Sequence, residues 1–169
     1  MALEIIIDGY NLIGSERGLR GDLESLRRQL IQKLQEYRRR RGYPVTVVFD
    51  GWRSGWINEV EESADGVTVI YSRQGEKADD VIKRLARQKR SGCLVVSSDR
   101  EVRQAVERAG AVAIYAGEFS AKLKNLDREL QAEEEWHNHL EAPRRKDKKG
   151  NPRRLSKKER RRQERLRKL

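Results

Sequence analysis

A single cysteine, Cys93, and two histidines, His137 and His139, are the only thiol and imidazoles in the 169-residue chain. One thiol cannot close an internal disulfide, and it cannot supply a cysteine-based zinc site. Cys93 sits in the apolar stretch Cys93-Leu94-Val95-Val96, where a thiol reads as a small core residue rather than a nucleophile. Both histidines fall late and read as surface residues at a helix end, which leaves little for acid–base chemistry built on imidazole. Nowhere do 18 apolar residues run together, and no charged-then-apolar leader opens the chain. The expectation is therefore a protein that neither spans a membrane nor is secreted, in a reducing, cytoplasmic setting. Phosphate-cradling glycine motifs of the P-loop and G-x-G-x-x-G kinds are also missing.

What the chain has is charge, distributed unevenly. The net charge is +11, yet residues 142–169 hold 15 Lys and Arg against Asp147, Glu159 and Glu164, a balance of +12, which leaves the first 141 residues at −1. The division predicted is a nearly neutral domain over 1–141 and a basic extension over 142–169. So one-sided a block points to a polyanion partner, with strong and salt-dependent affinity. The cations expected to meet it are Arg144, Arg145, Lys146, Lys148, Lys149, Arg153, Arg154, Lys157, Lys158, Arg160, Arg161 and Arg162. Residues 143–154 read as a linker, and Ser156 to Glu159 could cap a conditional, almost wholly basic helix. Few apolar anchors accompany these charges, which disfavours a membrane surface; a merely solvated tail is the plainer alternative.

Along the first 141 residues, strand and helix signals alternate. Leu3 to Ile7 is a short apolar run that stops at Asp8-Gly9. A helix is predicted from Asp22, through Leu23, Leu26, Leu30, Leu34 and Tyr37, to Arg41-Gly42. Val45 to Phe49 forms the next strand and again stops at Asp-Gly. The stretch 52–66 is predicted to hold a short helix around 57–63. Val67 to Tyr71 is a third strand, Ala78 to Ala86 a helical stripe, and Cys93 to Val96 a fourth strand. Ser98 and Glu101 have capping-box spacing for a helix reaching Gly110. Val112 to Tyr115 is a fifth strand, and Phe119, Leu123, Leu126 and Leu130 mark the final helix. The fold class predicted is α/β: three layers, with a central parallel sheet of about five strands covered by helices on both faces.

Asp8, Asp50 and Asp99 each follow a strand. Parallel strands deliver their carboxyl ends to one edge, where ligands of open α/β sheets bind. Asp79 and Asp80 open the helix before the fourth strand; Asp79 lies nearer the apolar stripe and is the better placed to face that edge. Any one of these aspartates could be only a turn former or a cap. Asp50 is the weakest of the three strand-end acids, since Asp-Gly is a common turn and an outer strand would hold it away from the centre. Gathered together, the acids repel one another unless a cation compensates. All-oxygen ligands favour Mg²⁺ or Mn²⁺, and the matching chemistry is phosphodiester hydrolysis by a metal-activated water, leaving 5′-phosphate and 3′-hydroxyl ends. Trp52 and Trp56, in a Gly-containing loop just after Asp50, could stack on bases or pack under the loop.

Asp8-Gly9-Tyr10-Asn11, Phe49-Asp50-Gly51, Glu76-Lys77-Ala78-Asp79-Asp80 and Ser97-Ser98-Asp99, in this order and spacing over roughly residues 3–135, resemble the NYN branch of PIN-like nucleases, and within it the bacterial YacP-like group. The resemblance implies a PIN-type parallel sheet and Mg²⁺- or Mn²⁺-dependent endoribonuclease activity; for the YacP-like group it implies cleavage of mRNA on the translating ribosome. It further implies that Asp8, Asp79 and Asp99 hold metal and that Asn11 orients a ligand or the substrate phosphate. Asp50, Asp80, Ser98 and Ser120 would support the site or touch substrate. The partners expected are mRNA as substrate and the ribosome or its RNA through the basic extension, with oligomeric state left open.

Two other readings compete. One is a PIN-like adaptor that binds RNA or ribosomes without cutting. The other is a phosphatase of the haloacid-dehalogenase type, which also begins with an Asp after a first strand. That chemistry wants a second Asp two residues on, where this chain has Tyr10.

Overall fold

The computed structural model of the chain describes residues 3–51 and 57–141. Six strands form one sheet: β1 (Glu4–Asp8), β2 (Val45–Phe49), β3 (Val60–Ala64), β4 (Val67–Tyr71), β5 (Cys93–Val96) and β6 (Val112–Ile114), in the order β3-β4-β2-β1-β5-β6. Every neighbouring pair is parallel except β3 with β4. The helices are α1 (Gly9–Arg17), α2 (Leu23–Arg41), α3 (Ala78–Lys89), α4 (Arg100–Arg108) and α5 (Ala116–Glu141).

The two-residue period of the strands sorts their side chains onto two cores. Ile5, Ile7, Val45, Val47 and Phe49 pack with Leu30 and Leu34 of α2 and Phe119 and Leu123 of α5. Ile6, Val48, Cys93 and Val95 pack with Val81 and Ile82 of α3 and Val102 and Val106 of α4. Both faces of β1, β2 and β5 are thus covered, which is why these strands read as continuous apolar runs. Complete burial of each such side chain contributes about 1.5–3 kcal/mol.

The ends of α2 follow the sequence signals. Asp22 accepts from the backbone N–H groups of Glu24 and Ser25. At the other end Gly42, at φ 79°, closes the helix by donating to Arg38 O at 2.8 Å. Three other features differ from expectation. The helix predicted around 57–63 is strand β3 instead, antiparallel to β4. Asp65-Gly66 between them, at φ 48° and 79°, is the two-residue hairpin turn that joins such pairs. The cap of α4 is Asp99 rather than Ser98: Asp99 Oδ1 accepts from Glu101 N at 2.7 Å and Val102 N at 3.1 Å. Finally, the segment after Asp8-Gly9 is helix α1, which buries Leu12 and Ile13.

The chain divides into two units, Met1–Glu133 and Glu134–Leu169. The acidic cleft belongs to the first. In the described part of the second, residues 134–141 of α5, His137 and His139 are exposed as expected, and so are Trp136 and Leu140. No helix among the described residues is long and apolar enough to cross a membrane. Trp52, Trp56 and the basic extension lie outside the described residues.

Candidate active site

The parallel strands bring Asp8, Asp50 and Asp99 to one sheet edge, and α3 adds Asp79. The four carboxylates, with Tyr10, Asn11 and Ser98, line a cleft of about 470 Å³. Asp8 is the last residue of β1 and the cap of α1, accepting from Asn11 N at 3.4 Å. Asp50 follows β2. This strand is β1's immediate neighbour rather than an outer one, so Asp50 is not held away from the centre as expected. Its Oδ1 accepts from Ala78 N at 2.7 Å, tying the first turn of α3, and with it Asp79, to the end of β2. Asp80 turns back instead and accepts from Lys77 N at 3.3 Å, outside the cleft.

Two glycines permit this crowding. A Cβ on Gly9 would stand 2.2 Å from the Phe49 ring, and one on Gly51 would stand 1.6 Å from the backbone oxygen of Ser72. The Asp-Gly pairs therefore serve close approach of chain segments at the cleft. Behind it, Phe49 meets Tyr10 edge-on at 5.1 Å and stacks on Tyr71 at 5.8 Å, while Arg27 donates to the Tyr10 hydroxyl at 2.7 Å.

Polar contacts join the walls of the cleft. Asn11 Oδ1 accepts from Ser98 N at 2.8 Å, and Ser98 Oγ accepts from Ala116 N at 3.2 Å. Ser97, fully buried, donates to Asp8 Oδ2 at 3.5 Å and accepts from Asp99 N at 3.2 Å. Sequence reasoning did not single out Ser97 as a site residue; a serine ending a buried strand beside Ser98-Asp99 was its only signal. Ser120 is not part of this cleft. It is buried on α5 and donates to Glu16 at 3.0 Å, a carboxylate also 3.6 Å from Lys33.

Burial first, then the charges of Asp79 and Asp50, push the Asp8 carboxyl from 3.8 up to about 7; hydrogen bonds from Asn11 and Ser97 oppose this only in part. Asp79 is raised as well, by burial and then by Asp99 and Asp50. The cleft is short of positive charge, and its donors are hard oxygens. Among the described residues, no group of three Asp, Glu, His or Cys side chains is drawn together closely enough to hold a metal ion.

Comparison with known proteins agrees with this architecture. The family model described as the YacP-like NYN domain matches residues 5–168. The chain belongs to this family. The match runs through the basic extension, further than the acidic motifs reach. Over 134 residues the chain is 30% identical to the uncharacterized protein YacP of Bacillus subtilis (strain 168), covering 75% of this chain and 78% of that one. Two crystal structures of Rae1 (YacP) from Bacillus subtilis superpose well. One, of a tryptophan-to-leucine mutant, gives a TM-score of 0.68 with 27% identity, over 83% of this chain and 86% of the other. The second gives 0.67 at the same identity, over 83% of each chain. The NYN domain is generally a nuclease domain, and the PIN-like α/β fold expected from the sequence is the one found.

Proposed function

We propose that this YacP-like NYN protein is a Mg²⁺- or Mn²⁺-dependent endoribonuclease that cuts mRNA in association with the ribosome. The observation that carries the nuclease reading is the convergence of Asp8, Asp50, Asp79 and Asp99 on one cleft, with Asp8 raised to about 7 by burial and then by its acidic neighbours. Asp8, Asp79 and Asp99, not close enough together to hold an ion unaided, would hold the metal together with its waters, and it would supply a neutralising charge for a phosphodiester and an acidified water as nucleophile. The chain's own groups have narrower tasks. Asp50 fixes α3 so that Asp79 stays at the cleft. Asn11 has its oxygen engaged by Ser98 N, which leaves its amide hydrogens to donate to a phosphate oxygen. The basic extension, with 15 cations in residues 142–169, would hold structured RNA such as that of the ribosome through its phosphates.

Incubating mRNA with and without ribosomes, in Mg²⁺ or Mn²⁺ and in EDTA, tests the reading. Metal-dependent cutting that falls at least about a hundredfold in Asp8→Asn is the expected result. Cutting that persists in that variant would remove Asp8 from the chemistry. RNA or ribosome binding without cutting would make the protein an adaptor.

A further inference from the structure

We infer that Arg103 and Tyr115 form a stacking subsite for one unpaired base of the RNA strand whose backbone enters the acidic cleft. The inference rests on the nuclease reading for its ligand, and on a separate part of the molecule for its geometry.

Because β6 runs parallel to β5, Tyr115, the residue after it, leaves the sheet at the same edge as Asp99. Hydrogen bonds hold the two exits side by side. Ser97 N donates to Ile114 O at 3.1 Å, and Ala116 N donates to Ser98 Oγ at 3.2 Å, so the residues flanking Tyr115 are bonded to the residues flanking the cleft. Tyr115 N is itself tied to Glu118 at 3.0 Å, which fixes its backbone. Arg103 approaches from α4, one turn beyond Asp99, to whose carbonyl its N–H donates at 3.0 Å. Its guanidinium lies 3.6 Å from the centre of the Tyr115 ring.

An arginine stacked on a tyrosine can be no more than a corner brace. Two features point further. Tyr115 is 49% exposed, one of seven large hydrophobic side chains open to solvent among the described residues, and its neighbour Ala116 is bonded to Ser98 of the cleft wall. Arg103, moreover, forms no ion pair among the described residues, and its buried Nε has no hydrogen-bond partner. Arg84 and Lys83, on the neighbouring helix, are by contrast matched to Glu59 and Glu76 and to Glu101. An unmatched planar cation and an open aromatic surface therefore stand together where a strand would leave the acids.

The cleft explains why such a subsite is useful. Four carboxylates repel a phosphate backbone until cations arrive, so the strand needs a hold that does not depend on phosphate charge. Stacking a base on an aromatic or guanidinium plane is such a hold, and it tolerates any base because each has a π-face. A base paired in a duplex reaches it only by first breaking its pair and its stack, at a cost of a few kcal/mol. The substrate class follows: RNA that is unpaired beside the cleavage site, with no strict demand on which base occupies the subsite.

The test is binding of a short, unstructured fluorescent oligoribonucleotide to the full chain in EDTA, at salt high enough to weaken the basic extension's contribution. Tyr115→Ala and Arg103→Ala should each weaken binding about 5- to 100-fold, whereas Tyr115→Phe, which keeps the ring, should bind like the wild type. Strands with a single abasic nucleotide placed at each position in turn provide the decisive comparison. At one position the missing base should weaken wild-type binding by the factor seen for Tyr115→Ala, and should weaken Tyr115→Ala no further. Unchanged affinity in Tyr115→Ala overturns the subsite, as do losses that multiply at every position. Cleavage is scored separately, so a wild type that stacks the base without cutting keeps the subsite and loses the nuclease. One that cuts, with binding indifferent to Tyr115, does the reverse.

Discussion

Asp8 stands where an ionised carboxylate is least well accommodated. It is 7% exposed, with Asp79 and Asp50 as charged neighbours and only weak hydrogen bonds from Asn11 and Ser97 in return. Its folded-state value, about 7, lies above the ordinary 3.8, so the folded domain binds more protons than the unfolded chain between those values. Stability without divalent metal is therefore fullest at low pH as far as this group is concerned. It falls as pH rises through that window and levels off above about 7. Keeping Asp8 charged costs on the order of 4 kcal/mol. In EDTA, Asp8→Asn should raise the free energy of unfolding in urea at pH 8 by that order and change it little at pH 3, below both values. An equal effect at both pH values would show that charge is not the cause. The same residue was conspicuous in the sequence because it ends an apolar run abruptly. Asp79 was separable from Asp80 by its angular distance from the stripe of Val81 and Ile82. Ser120 was not legible from this chain's pattern: its partner, Glu16, lies 104 positions away and only the packed helices bring them together.

At the scale of elements, close approach matters more than propensity. Gly51 brings the end of β2 against the backbone after β4, where Ser72 Oγ accepts from Gly51 N at 3.0 Å and donates to Glu76 O at 2.8 Å. This junction leads into α3 and holds Asp50 and Asp79 at the cleft. An added methyl would meet a backbone oxygen, which cannot swing away as a side chain could. Gly51→Ala should therefore destabilise the domain by on the order of 3 kcal/mol in urea unfolding. Gly92→Ala, with nothing within 4 Å of the added carbon, should change it by less than about 0.5 kcal/mol. Equal midpoints for the two variants would contradict the packing described. Elements with long apolar periodicity or a terminal cap, such as α2 and β2, were readable before folding. Helix α1 was not, because its nine residues offer only two turns and its start at Asp8-Gly9 mimics a strand-ending turn. Strand β3 was missed because its middle residues, Glu61, Glu62 and Ser63, are all exposed and leave no apolar alternation. Its real signal was the Asp65-Gly66 turn that follows it.

On the scale of the whole molecule, parallel topology converts a scattered set of aspartates into one edge, and the same topology places β5 directly beside the strand that carries Asp8. Cys93 opens β5, wholly buried and the chain's sole thiol. Burial pushes its pKa up, which keeps the thiol protonated and inert while the sheet stays closed. A thiol so placed acts as a clock for opening of the sheet: a disulfide reagent can modify it only during excursions that part the strands from their helices. A cation that binds only the closed cleft must slow that clock. At a hundred times its dissociation constant the stabilisation is about 2.7 kcal/mol, or roughly a hundredfold in labelling rate. Mg²⁺ or Mn²⁺ should thus retard modification of Cys93 in the wild type and have much less effect in Asp8→Asn. Rates indifferent to metal in the wild type would mean that the acids do not hold it. With its one cysteine, the protein carries its own test of metal binding, readable without any RNA.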